Sequence, residues 1–146
     1  MSTPDRAARE SAGPVSTPAE LPPLRYTPDR AALDRFGAST RNAHRIHYDA
    51  RFARGQGLAG PVVMAQLHGC LLFRAAAEWA GDPGRVVSLG WRNRAPSGPG
   101  VELTVTGRAT PAGPGLVRLE LVETGPDGVT CCVGYAVVRT GEARPD

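Results

Sequence analysis

Lysine is absent from this chain of 146 residues, so arginine carries all of its side-chain basicity apart from histidine. Arginine-only usage beside abundant alanine, glycine and proline reads as the imprint of a GC-rich genome. The formal net charge is only +3 and the arginines are scattered, which excludes the clustered basic face of a nucleic-acid-binding protein. Cysteine is scarce: Cys70, Cys131 and Cys132 offer neither zinc spacing nor an even disulfide framework. The adjacent pair would point to opposite faces of a strand, and reduced, buried thiols in a cytoplasmic protein are expected. No long uninterrupted apolar run occurs. The nearest, Pro61 to Ala80, is broken by Gln66, His68, Arg74 and Glu78, which argues against a membrane span. The N-terminus has charge and proline where a signal peptide needs an apolar run. There is no glycine-rich phosphate loop and no Gly-x-Ser-x-Gly elbow. Histidine is the last scarcity. Of His44, His47 and His68, two fall within TRNAHRIHYD, Thr40 to Asp49.

What is present suits one domain with a proper core. Residues 1–23 lack apolar periodicity and read as a flexible arm, and residues 141–146 as a flexible tail, leaving a folded body from 24 to 140. Thr27 and Pro28 predict a helix start, Ala32, Leu33 and Phe36 its apolar face, and Gly37 its end. Ala50 to Arg54 suits one helical turn before Gly55, Gly57 and Gly60. From Val62 to Ala77 the residues predict a helix apolar on nearly every side, which belongs in the middle of a fold. Arg74 and Glu78 should pair across one turn, and Gly69 inside the helix implies a close contact.

Beyond Gly81 the period changes to two. Val86 to Ala95, Val101 to Thr106, Val117 to Val122 and Val129 to Arg139 predict strands, the last two joined at Gly125-Pro126-Asp127-Gly128. The final strand has a large face (Val129, Cys131, Val133, Tyr135, Val137) and a small one (Cys132, Gly134, Ala136) able to admit a helix. The pattern therefore predicts an α+β fold, one antiparallel sheet wrapped around one central helix. That is the layout of the hot-dog fold.

The segment Asn42-Ala43-His44-Arg45-Ile46-His47-Tyr48-Asp49, followed by ARFARGQGLAGPVV, an apolar helix and WRNRAP (Trp91 to Pro96), resembles the MaoC-like hydratases and dehydratases. These are hot-dog enzymes that add or remove water at an acyl thioester. The HRIHYD form is most similar to the branch holding mesaconyl-CoA hydratase and the hydroxyacyl-thioester dehydratases, over about Leu24 to Gly107. The chain departs from the family pattern twice. Asn42 stands where many members have a catalytic aspartate, although asparagine is common in this branch. Met64-Ala65 stands where a His-Gly pair usually opens the central helix, and His68-Gly69 follows one turn later.

The resemblance implies a hydro-lyase acting on an enoyl or 3-hydroxyacyl thioester of coenzyme A or a carrier protein. His47 would be the general base, Asn42 would orient water, and a backbone N–H near Ala65 would be the oxyanion donor. His44, Arg45, Met64, Ala65, His68 and Asn93 are the candidate substrate-binding residues, and Asp49 should anchor the loop. Trp91 and Arg92 are further lining candidates. His44 and His47 have no third ligand at useful spacing, so neither metal nor cofactor is implied. A homodimer at least is expected, because a single hot-dog sheet leaves an open edge. Neither nucleic acid nor membrane is an expected partner. Two alternatives stand beside this reading: a non-catalytic subunit of a heteromeric dehydratase, which Asn42 and Met64-Ala65 favour, or a different thioester reaction in specialised metabolism.

Overall fold

The structure, a computed structural model, describes residues 19–141. Most of the expected arm (residues 1–18) and the tail from residue 142 lie outside the described residues. The arm's last residues are held: β1 (Ala19–Glu20) pairs with Arg108 and Ala109, and Leu21 is buried, its N–H bonded to the Gly107 carbonyl at 2.8 Å. Residues 19–21, which the sequence pattern assigns to the arm, thus belong to the folded body.

Next come β2 (Leu24–Tyr26) and α1 (Arg30–Thr40). Asp29, not Thr27, caps this helix, its carboxylate accepting from the Ala32 N–H at 2.7 Å. Gly37 does not end it. The helix continues to Thr40 and closes with Arg41 in the left-handed region at φ 54°. The Asn42 N–H bonds the Gly37 carbonyl at 2.9 Å and the Arg41 N–H that of Ala38 at 3.3 Å, the pattern of a Schellman closure. A 3-10 turn (Arg45–His47), α2 (Ala50–Gly55) and α3 (Ala65–Ala80) follow.

The strands β3 (Val86–Asn93), β4 (Leu103–Pro111), β5 (Leu116–Thr124) and β6 (Thr130–Arg139) complete an antiparallel sheet in the order β1-β4-β5-β6-β3, with β2 also on β4. The sheet covers one side of α3. Leu72 and Ala76 are wholly enclosed there with Leu119, Leu121, Cys132, Ala136 and Val138, so the small face of β6 does receive the helix. The other side of α3, with Gln66, Cys70, Phe73 and Arg74, is open, so Cys70 is not the buried thiol expected of it. Arg74 and Glu78 pair there at 2.7 Å, as predicted.

A second apolar cluster of Leu33, Val63, Met64 and Leu67, with Phe36 against it, packs α1 over the beginning of α3. This cluster brings the Asn42–His47 loop to the N-terminus of α3. Among the described residues no helix is long and apolar enough to cross a membrane.

Candidate active site

The loop after α1 is built to hold itself still. Asp49 caps α2 by accepting from the Phe52 N–H at 2.9 Å and takes the Arg45 guanidinium at 2.6 Å. The Phe52 N–H and then Arg45 hold its carboxyl below the usual aspartate value. Arg45 also lies over the Phe52 ring, 4.6 Å from its centre. His44 turns its Nδ1 back to accept from the Ile46 N–H and stacks edgewise on Phe52 and His47. His44, Arg45 and Asp49 thus stabilise the loop itself.

His47 is the residue this frame presents. It is 6% exposed, and its Nδ1 lies 2.8 Å from the Val62 carbonyl. A carbonyl only accepts, so Nδ1 carries a proton, and in the neutral ring the lone pair resides on Nε2. Asn42 Nδ2 is 3.4 Å from that Nε2 and 3.4 Å from Gln66 Oε1, and Asn42 Oδ1 accepts from the His44 N–H at 3.4 Å. The amide therefore points its donor end toward His47.

Asn42 and His47 border a cleft of about 270 Å³ whose other walls include Leu33, Asp34, Gly37, Arg41, Tyr48 and Met64. Of the candidate substrate-binding residues, only Met64 lines this cleft. Ala65 is exposed beside it as the first residue of α3. Met64 is the N-cap but gives no side-chain bond, and neither the Ala65 nor the Gln66 N–H has a hydrogen-bond acceptor among the described residues. The positive end of a 16-residue helix is thus left open next to His47.

His68 turns inward, away from the cleft. Its Nδ1 lies 2.5 Å from Glu123 Oε1, the pair 3% and 0% exposed. Asn93 ends β3 opposite Cys132. Trp91 covers Gly69, where a Cβ would come within 2.5 Å of the indole; this is the close contact that the helical glycine implied. Trp91 and Arg92 border a larger open depression, about 510 Å³, over β3, β5 and β6. His47 and Asn42 are not among its lining residues. Asp34, Arg41 and Tyr48 are cleft residues the sequence reading missed. Positions 34, 37, 38 and 41 recur at helical spacing, a stripe that could have marked this face of α1. Among the described residues no group of three or more His, Cys, Asp or Glu could hold a metal.

Residues 1–99 match the family model described as hydroxyacyl-thioester dehydratase type 2. A mesaconyl-C(4)-CoA hydratase from Chloroflexus aurantiacus is 36% identical over 135 residues, covering 86% of this chain and 46% of that protein. The chain thus spans less than half the length of this relative. Among solved structures, the (R)-hydratase from A. caviae involved in PHA biosynthesis superposes with a TM-score of 0.76 at 20% identity, over 92% of this chain and 100% of that one. The ChsH1–ChsH2 complex from Mycobacterium tuberculosis gives a TM-score of 0.76 at 23% identity, over 84% of this chain and 96% of that chain. These likenesses identify the architecture as the hot-dog fold.

Proposed function

Because this chain belongs to the hydroxyacyl-thioester dehydratase type 2 family, we propose that it is a hydro-lyase adding or removing water at an enoyl or 3-hydroxyacyl thioester of coenzyme A or a carrier protein. The observation that carries this reading is the fixed tautomer of His47, whose basic Nε2 faces Asn42 in a cleft beside an uncapped helix N-terminus.

In the hydration direction, Nε2 takes a proton from water as the oxygen bonds to the β-carbon. The electron pair of the double bond moves toward the thioester and negative charge gathers on its oxygen. The free N–H groups of Ala65 and Gln66, with the helix dipole behind them, stabilise that charge. The imidazolium then returns a proton to the α-carbon. In the reverse direction, Asn42 donates to the departing hydroxyl while His47 protonates it. Met64 and Ala65 do not remove the donors, because these are backbone groups.

The described part of the chain would act as one hot-dog domain, and pairing through the free edge of β3 would give a homodimer. A second reading, a subunit that completes its site with a different hot-dog chain, is favoured by the span of only 46% of the relative. Hydration of a panel of enoyl-CoA thioesters by the purified protein and by His47→Ala tests the assignment. A loss of about 10² or more in kcat/KM in the variant is expected. Equal turnover by the two proteins would refute the role of His47, and no turnover by either would favour the subunit reading.

A further inference from the structure

Helix N-caps favour serine, threonine, aspartate or asparagine, whose oxygen accepts from the first free N–H groups. Methionine at this position gives up that bond, so the side chain must be judged by what else it does. The Met64 backbone is extended, at φ −65° and ψ 140°, and its side chain is 3% exposed, running inward as part of the cleft wall. Its terminal methyl lies against α1, 3.1 Å from where a Cβ on Gly37 would sit. Leu33, with no exposure, packs in the same apolar cluster and borders the same cleft. Leu33, Gly37 and Met64 therefore close the apolar part of the cleft against α1. Gly37 is the residue whose lack of a side chain makes room for the thioether. The cleft, about 270 Å³ and partly open to solvent, falls just below the roughly 300–1,000 Å³ of sites for drug-sized ligands.

We infer that Met64 is the acyl-length determinant of this protein, making it selective for short over medium-length acyl groups, the proposal resting on the thioester reading above. An acyl chain that passes His47 meets the thioether and stops. Truncating Met64 to alanine removes every atom beyond Cβ and opens room for about two or three methylene groups, provided the site relaxes only partly. Interior positions that lose such volume tend to keep it as space able to accept an apolar group.

The test compares binding of butyryl-CoA and octanoyl-CoA to the intact protein, to Met64→Ala and to Met64→Val. Both ligands are saturated, so they report the pocket without turnover. The valine variant is included because a β-branched side chain suits the extended backbone at this position and guards against a folding failure of the alanine variant. Circular dichroism and thermal melts establish that each variant folds. The intact protein is expected to bind octanoyl-CoA no more tightly than butyryl-CoA. The ratio of the two dissociation constants should shift at least tenfold toward octanoyl-CoA in Met64→Ala, with an intermediate shift in Met64→Val. A ratio unchanged in both folded variants, or an intact protein that already prefers octanoyl-CoA tenfold, would overturn the assignment of Met64 while leaving the thioester reading in place. Failure of the intact protein to bind either ligand would overturn the coenzyme A thioester reading and this proposal with it.

Discussion

Substituting His68 with leucine would strand a carboxylate. Glu123 has no exposure, and its Oε2 already lacks a hydrogen-bond partner among the described residues. Its Oε1 relies on His68 Nδ1 at 2.5 Å. Removing the imidazole leaves both oxygens unsatisfied at a position with no solvent access. Breaking a buried pair from one side costs about 3–5 kcal/mol, whereas replacing both partners by apolar residues of similar size is neutral or stabilising by about 1–4 kcal/mol. At roughly 4 °C per kcal/mol for a domain of this size, His68→Leu should lower Tm by about 12–20 °C. Glu123→Leu alone should be nearer neutral, since an uncharged imidazole left unpaired costs only about 1–3 kcal/mol. The double variant should melt at or above the intact protein. Urea unfolding followed by circular dichroism, arranged as a double-mutant cycle, gives the coupling directly. A cost below about 1 kcal/mol for His68→Leu, with coupling near zero, would refute the reasoning.

Two further outcomes are expected. Burial, and then the Glu123 carboxylate, raise the Cys131 thiol and push that of Cys132 up to about 11. At pH 8 a thiol reagent should therefore label Cys70 in the native protein and reach the other two only on unfolding; native labelling of Cys132 at a rate matching Cys70 would contradict this. Arg41 holds φ 54° at the end of α1, a conformation that penalises a side chain, so Arg41→Gly should stabilise the fold by about 0.5–1 kcal/mol in the same unfolding assay. A destabilised variant would mean that the arginine side chain contributes more than its backbone costs.

The strands β4 to β6 and the helix α3 were legible because their apolar residues recur at the period of the element over many residues. β1 and β2 were not, since two or three residues cannot display a period. Gly37 misled for a different reason. The sequence marks it as a helix stop, whereas in the fold it admits Met64 and the Asn42 carbonyl beside α1. The meeting of His47 and Asn42 at one cleft was legible through the HRIHYD resemblance. The sorting of the loop's other members was not, because His44 and Arg45 turn toward Phe52, a contact no spacing rule announces. His68 is the clearest case. Its partner lies 55 residues away on another element, so nothing local could place it on the core side of α3.

The short connection from Val62 into α3 carries three tasks within five residues. The Val62 carbonyl fixes the proton of His47, the Met64 side chain lines the cleft, and the Ala65 and Gln66 N–H groups have no acceptor among the described residues. Two of these tasks belong to the main chain and one to a side chain. Evolution, or an engineer, can therefore exchange the residue at 64 and reshape the cleft while the His47–Val62 hydrogen bond keeps its geometry. An insertion or deletion in the same place would displace all three at once, so this segment should tolerate changes in spelling but not in length.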